Sequence, residues 1–260
     1  EFATTIDINI PQDSWVKLEK MKTGRGATSA CAVNGKMYVV GGGNKVEEYN
    51  PKTNHWRYVQ DMPIERNGSA ACALDSIIYV TGGQIAMGYP GLTSLHQYNP
   101  IVDAWKTGAA DMPVGQYVLD MCVCAGKLYA GCGFYHPKDL AEYDPVADAW
   151  EKIENVPSLE VTALCGHNGI LYAFGSTKDL HAVYAYNTVS KTWEKKASMP
   201  TGRIHATACY SKGMIYVIGG TQDKTWPYDV EKTSGAVEAY DPLRDLWCCT
   251  LDSLPTPRHS

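Results

Sequence analysis

The chain has 260 residues, of which 45% are hydrophobic and 20% are charged, and its formal net charge is −5. This composition excludes an intrinsically disordered chain, because it supplies enough apolar side chains for a core. The acidic balance disfavours nucleic acid as a partner, since phosphate binding needs a basic face.

The first complete group of predicted elements is four short strands between residues 21 and 61. The predicted strands are Ala27–Val33, Lys36–Val40, Val46–Tyr49 and a strand that starts near Trp56. Turns are expected at Asn34-Gly35 and Asn50-Pro51, because glycine tolerates unusual backbone angles and proline between strands removes no ladder hydrogen bond. We therefore expect one four-stranded antiparallel sheet in this segment.

The same pattern recurs four more times along the chain. A Tyr precedes a Trp by seven residues in each copy: Tyr49/Trp56, Tyr98/Trp105, Tyr143/Trp150, Tyr186/Trp193 and Tyr240/Trp247. Upstream of each pair is a run that contains a Tyr and ends in glycine, at Tyr38, Tyr79, Tyr129, Tyr172 and Tyr216. Because one four-stranded sheet cannot bury both of its faces, the copies must pack radially, as the blades of a β-propeller do.

We predict a single all-β domain over residues 1–260, with complete blades at about 21–61, 62–111, 112–155, 156–198 and 199–253. Residues 1–20 resemble half a blade, because Thr5–Ile8 aligns with a third strand and Trp15 with the Trp of a fourth strand. Residues 254–260 resemble the start of a closing blade. The expected fold is therefore a six-bladed propeller whose closing blade is incomplete in this chain.

The glycine pairs, the Tyr–Trp spacing and an apolar-Pro step after each Trp together resemble kelch repeats. The apolar-Pro steps are Met62-Pro63, Met112-Pro113, Val156-Pro157, Met199-Pro200 and Leu254-Pro255. The resemblance covers about Thr4–Ser260, and it is greatest to the kelch domain of BTB-kelch (kelch-like) proteins. The Gly-His…Trp-Asp pairing of WD40 blades does not occur in the sequence.

The resemblance implies a non-catalytic scaffold that binds a protein, either a peptide or a folded substrate. The expected role is substrate recognition for a cullin-3 ubiquitin ligase adaptor, with oligomerisation through regions outside this chain. An actin-binding or actin-cross-linking cytoskeletal kelch module is the alternative, and a sugar-modifying kelch-like enzyme is less favoured. No catalytic, cofactor or metal site is expected, because catalytic motifs are missing and the seven His are scattered without metal-ligand spacing.

Five of the nine cysteines occupy one repeat position, seven residues before the Tyr of the second strand. They are Cys31, Cys72, Cys122, Cys165 and Cys209. Radially arranged thiols lie too far apart for the close ligand set of a zinc site, so we interpret them as small apolar residues packed against the next blade. The odd cysteine total favours a reducing compartment. Since no run approaches ~18 apolar residues and no signal peptide is visible, we expect a cytoplasmic protein without a membrane partner.

Candidate partner contacts lie where each first strand begins, three residues after the repeated proline or, in the first copy, three residues after Lys22 at that position. This position holds Arg25, Arg66, Gln116, Glu160, Arg203 and Arg258 in the successive copies. The resemblance to BTB-kelch proteins selects Arg25, Arg66, Arg203 and His205 as contacts for an anion or carboxylate, while Gln116 and Glu160 interrupt the basic ring. The alternative is that each Arg braces neighbouring turns.

Two long loops between second and third strands add aromatic candidates for the partner site. Tyr89 lies in the loop Gln84–Thr93, and Trp226 lies in the loop Thr221–Gly235. Long loops on a rigid scaffold commonly carry function, and exposed aromatic residues are enriched in interfaces. The alternative is that each ring packs on its own loop.

Overall fold

The structure is a computed structural model that describes residues 15–86, 88–117, 119–134, 136, 138–157, 163–224 and 230–258. Within these residues lie twenty β-strands and a three-residue 3-10 helix, Val230–Lys232. No helix in the described part of the chain is long and apolar enough to cross a bilayer.

The strands form five four-stranded antiparallel sheets, each in sequential order. They are β1 Thr28–Val33, β2 Lys36–Gly41, β3 Val46–Asn50, β4 His55–Val59, β5 Asn67–Leu74, β6 Ile77–Gln84, β7 His96–Asn99, β8 Ala104–Lys106, β9 Asp120–Cys124, β10 Lys127–Gly131, β11 Leu140–Asp144, β12 Ala149–Lys152, β13 Ala163–His167, β14 Ile170–Phe174, β15 Val183–Asn187, β16 Thr192–Lys195, β17 Thr207–Ser211, β18 Met214–Ile218, β19 Val237–Asp241 and β20 Leu246–Leu251. The first strands β1, β5, β9, β13 and β17 pack against one another in that order. They surround a central channel, so the sheets are the blades of a propeller.

The repeated Tyr and Trp lie directly opposite each other on the third and fourth strands of every blade. The register pairs Tyr49 with Trp56 in the first blade, and their ring centroids are 5.0 Å apart. The other four pairs are similar, with centroids 5.0 to 5.2 Å apart. A spacing of seven residues thus reflects two strands joined by a short turn, with the two rings on one face of the sheet.

The indole N–H groups of several of these Trp residues join adjacent blades. The indole of Trp105 donates to the carbonyl of Gln60 at 3.0 Å, and Trp247 donates to Ala197 at 3.0 Å. Each acceptor lies just after the fourth strand of the preceding blade. A buried indole needs such a partner for its N–H, so the same ring supplies both apolar packing and a directional contact.

The prediction of six blades is wrong, because the described residues form five blades. Thr5–Ile8 lies outside the described residues, and residues 15–22 form no strand. Leu18 and Met21 instead cover the apolar surface of Val39, Tyr49 and Trp56 on the first blade. Trp15 does resemble a fourth-strand Trp in one respect, because its indole N–H also donates to a backbone carbonyl, that of Asp252 at 3.1 Å. Within the described residues, however, Trp15 belongs to no blade.

Candidate functional site

One face of the propeller carries all the long connections. The loops between second and third strands, and the links from each fourth strand to the next first strand, emerge at the same end of the blades because each blade is a simple meander. We call this end the loop face. The opposite face carries the short turns between first and second strands and between third and fourth strands.

Arg66 begins the second blade on the loop face, but its side chain is 0% exposed. Its Nη1 donates to the carbonyl of Gly82 at 2.7 Å, and its Nη2 donates to the Ser94 hydroxyl at 2.7 Å. Burial lowers the pKa of Arg66 to about 10, and Asp111 partly opposes this change. The guanidinium therefore ties the start of the long 84–94 loop to its end.

Arg203 has the equivalent position in the fifth blade and is equally buried. Its Nη2 donates to Glu238 Oε2 at 2.6 Å and to the carbonyl of Val217 at 3.2 Å, and its Nη1 donates to the carbonyl of Ala236. Burial lowers the pKa of Arg203 and the Glu238 carboxylate opposes that change. This geometry braces β18 against β19.

Arg25 braces the first blade in the same way. Its guanidinium donates to the carbonyls of Val39, Gly41 and Lys45 and to Glu47 Oε1 at 3.3 Å. Burial lowers the pKa of Arg25 and Glu47 opposes the change.

Gln116 takes the Arg position in the third blade and performs the same task with an amide. Its Nε2 donates to the carbonyl of Asp139 at 2.7 Å, and its Oε1 accepts from the Gly133 N–H at 2.8 Å. His205 is also buried, with a left-handed backbone φ of 55°, and it lines the channel. The three Arg side chains thus act as braces, the alternative stated above, and Gln116 does the same, while His205 forms part of the channel wall. These residues do not form an exposed basic ring. Glu160 and Trp226 lie outside the described residues.

Tyr89 is the predicted contact that the structure leaves at the surface, with 60% of the side chain exposed. Its neighbour in the same loop, Ile85, is 46% exposed. Asn67 Nδ2 donates to the Ile85 carbonyl at 3.2 Å, and the Leu92 N–H donates to the Gly83 carbonyl at 2.7 Å. Both ends of the loop are therefore attached to the blade.

The later part of this loop, at Gly91, makes a backbone contact that only glycine allows. A Cβ on Gly115 would lie 1.9 Å from the Gly91 carbonyl oxygen, and a Cβ on Gly91 would lie 2.4 Å from the Gln116 nitrogen. The loop of the second blade thus packs directly on the link that leads into the third blade. Ile85 and Tyr89 are side chains exposed to solvent on a loop that is attached to the scaffold at both ends.

The channel has a volume of about 2090 Å³ and is lined by the five first strands. Its mouth on the loop face includes Tyr117 and Phe134, whose ring centroids are 5.9 Å apart, and Asp120 at the start of β9. Tyr117 and Phe134 were not among the predicted contacts. Tyr117 directly follows Gln116, so the repeat alignment could have indicated it, whereas Phe134 follows a degraded glycine pair that gave no signal.

The five repeated cysteines also line the channel, and each lies opposite its second-strand Tyr, as in the Cys31–Tyr38 pair. The thiols are free, and Cys72 and Cys165 pack in the apolar layers between blades. Burial raises the pKa of Cys31 to about 12. No group of three or more metal-ligating side chains occurs among the described residues. This geometry agrees with the interpretation as packing residues for Cys72 and Cys165, whereas Cys209 is exposed.

Comparisons with known proteins identify kelch motifs in this chain and relatives among the kelch-like proteins. A family profile described as "Kelch motif" matches residues 24–63, 65–110 and 202–250. Kelch-like protein 30 of Homo sapiens is 42% identical over 205 residues, which cover 74% of this chain and 34% of that protein. Kelch-like protein 24 of Rattus norvegicus is 28% identical over 101 residues, covering 38% of this chain and 16% of that protein. The chain thus spans about a third or less of the length of these relatives.

The fold has a counterpart among solved structures. The structure of YjhT superposes with a TM-score of 0.77 and covers 93% of this chain and 88% of its own, at 16% sequence identity. A likeness at this identity concerns the fold alone.

Proposed function

From the premise that this chain belongs to the kelch family and is a protein-interaction module, we propose that its partner binds the loop face at the second and third blades. We propose further that it is the substrate-recognition domain of a cullin-3 ubiquitin ligase adaptor. The similarity to kelch-like proteins supports the second part, which otherwise rests on the resemblance to BTB-kelch proteins.

The observation that carries the first part is the exposed apolar pair Ile85 and Tyr89 on the anchored loop. Ordering a flexible loop opposes binding, because conformational entropy is lost when the complex forms. Here Asn67 and the Gly91–Gly115 contact have already fixed both ends of the loop. Tyr is enriched in interfaces and among their hot spots.

A double substitution tests the binding surface. Tyr89→Ala with Ile85→Ser removes both side chains without touching the hydrogen bonds that hold the loop, so we expect partner recovery in quantitative affinity capture to fall by at least about tenfold. Val146→Ser is the matched control, because Val146 is 96% exposed in the turn between β11 and β12 on the opposite face. Undiminished recovery with the double variant would exclude this surface.

A separate experiment tests the adaptor role. The full-length protein should co-precipitate cullin-3, whereas the 260-residue chain alone should not, since the resemblance assigns cullin binding to other domains. Co-sedimentation of the chain with filamentous actin at micromolar affinity would overturn the adaptor role in favour of the cytoskeletal one.

A further inference from the structure

The carboxylates of the channel wall have a charge opposite to that expected from the basic ring. The wall contains Asp75, Asp120, His167 and His205, and no Lys or Arg among the described residues that line it.

The three arginines that were expected to attract an anion donate instead to carbonyls and carboxylates inside their own blades. They are Arg25, Arg66 and Arg203. A partner group that enters the channel therefore meets carboxylates and not guanidinium groups.

Asp120 is held in place by two blades. Its Oδ1 accepts from the Met121 N–H at 2.8 Å, and its Oδ2 accepts from the Leu164 N–H of the fourth blade at 2.8 Å. A carboxylate has about four acceptor positions, so these two bonds leave capacity on both oxygens. The side chain is partly exposed to the channel, and its orientation is set before any ligand arrives.

Two aromatic rings stand at the same mouth of the channel. The Phe134 N–H donates to the Tyr117 carbonyl at 3.1 Å, and the two rings are in contact. Both side chains are partly exposed and line the cavity together with Leu119 and Asp120. Aromatic faces attract cations, and Arg in particular stacks on them through its planar guanidinium.

We propose that Asp120, Tyr117 and Phe134 form a receptor for an arginine side chain that the protein partner inserts into the channel from the loop face. The guanidinium stacks on the rings at the mouth and forms a charge-assisted hydrogen bond with the carboxylate behind them. This inference rests on the proposed function and specifies the chemistry of its partner.

The charge on Asp120 gives the receptor a pH dependence. Burial raises the pKa of Asp120 to about 6, although the two backbone hydrogen bonds oppose the rise. The thiols that face it are Cys72, Cys122 and Cys165, and burial raises the pKa of each, so they stay neutral near pH 7. The carboxylate is therefore charged above about pH 6 and loses its charge below it.

The test is selection of random peptides displayed on phage against the 260-residue chain at about pH 7.5. We expect the selected sequences to be enriched in Arg. A selected peptide, resynthesised with its Arg replaced by the neutral isostere citrulline, should bind at least about tenfold more weakly in calorimetry. The difference should vanish with Asp120→Asn and at about pH 5. It should persist with the matched control Asp75→Asn, which neutralises the carboxylate at the other end of the channel.

Other outcomes would contradict either the receptor alone or the receptor together with the proposed function. Selected peptides without basic residues, or equal affinity for the Arg and citrulline forms, would overturn the receptor but leave the loop face as a protein-binding surface. Failure to select any peptide would overturn the receptor and count against the proposed function as well. If Asp120→Asn does not fold, Tyr117→Leu and an NMR titration of Asp120 in the unsubstituted chain replace it, because a bound guanidinium must lower the pKa of Asp120.

Discussion

The second and fifth blades bury the same residue at the same repeat position but surround it differently. In the fifth blade the guanidinium of Arg203 has a carboxylate partner, Glu238, at 2.6 Å. In the second blade Arg66 has a carbonyl and a hydroxyl, and no ion pair within the described residues. The difference comes from one position on the third strand, which holds Glu238 in one blade and His96 in the other.

The comparison shows which part of the brace is constant. Arg66 and Arg203 both donate to a backbone carbonyl near the end of the second strand. In both blades a second bond joins the guanidinium to a residue just before the third strand, Ser94 or Ala236. The carboxylate is an addition that one blade has and the other lacks. Backbone geometry therefore holds the guanidinium, and the counter-charge decides how strongly the blade depends on it.

The largest expected effect is on the paired brace. Glu238→Ala leaves the Arg203 guanidinium buried without its counter-charge, and we expect the free energy of unfolding to fall by about 3–5 kcal/mol. Chemical denaturation measures this loss. Glu238→Gln, which keeps an oxygen acceptor for Arg203, should lose less. A loss below about 1 kcal/mol for Glu238→Ala would show that the ion pair contributes little beyond the carbonyl contacts.

The second-largest expected effect is a pH dependence of stability that comes from His96 in the second blade. Burial, together with the Arg66 charge, lowers the pKa of His96 to about 4 from its ordinary value of 6.5. The unfolded chain therefore takes up a proton first as the pH falls, so stability from neutral His96 is complete above about pH 6.5 and declines towards pH 4. The decline should approach about 3 kcal/mol.

The variant His96→Gln should remove this decline. Asp120 contributes in the opposite sense, because its raised pKa makes stability fall as the pH rises from about 4 to 6. The measurement is therefore the difference between the unfolding free energies of His96→Gln and the unsubstituted chain from pH 4 to 7. A difference that does not change with pH would contradict the prediction.

The smallest expected effect is loss of the unpaired brace itself. Arg66→Met removes two hydrogen bonds but also removes a buried charge, so the two consequences partly offset each other. We expect a loss of about 1–2 kcal/mol, below that of Glu238→Ala. Thermal or chemical denaturation of both variants gives the order, and a larger loss for Arg66→Met would reverse the interpretation of the two braces.

Much of the blade could be predicted because its signals are local. The seven-residue spacings of Tyr49 to Trp56 and of Cys31 to Tyr38 each correspond to residues directly opposite across one antiparallel hairpin. Such a register depends only on a short turn and on alternation of side chains along the strands. The predicted first-blade strands accordingly agree with the observed ones to within a residue or two.

The candidate site was less predictable because exposure depends on loops that are distant in the sequence. Arg66 was predicted as a partner contact, but its side chain is buried and donates to Ser94 at the end of the following loop. Gln116 is buried in a similar way, with its amide donating to the Asp139 carbonyl. Tyr89, in contrast, is exposed, on a loop that contacts the link to the next blade through Gly91 and Gly115. A polar residue type alone does not distinguish a brace from a binding group.

The sequence by itself determined the repeated four-stranded unit, the aromatic pairs and the small thiol position, since each follows from contacts between neighbouring strands. The number of blades in the described chain, the burial of Arg25, Arg66 and Arg203, and the place of Asp120 between two blades were decided only by the tertiary structure. The physical reason is that these features depend on packing between segments 16 to 44 residues apart, where no local period or propensity acts. The same packing that buries the basic ring leaves Asp120 as a carboxylate in the channel.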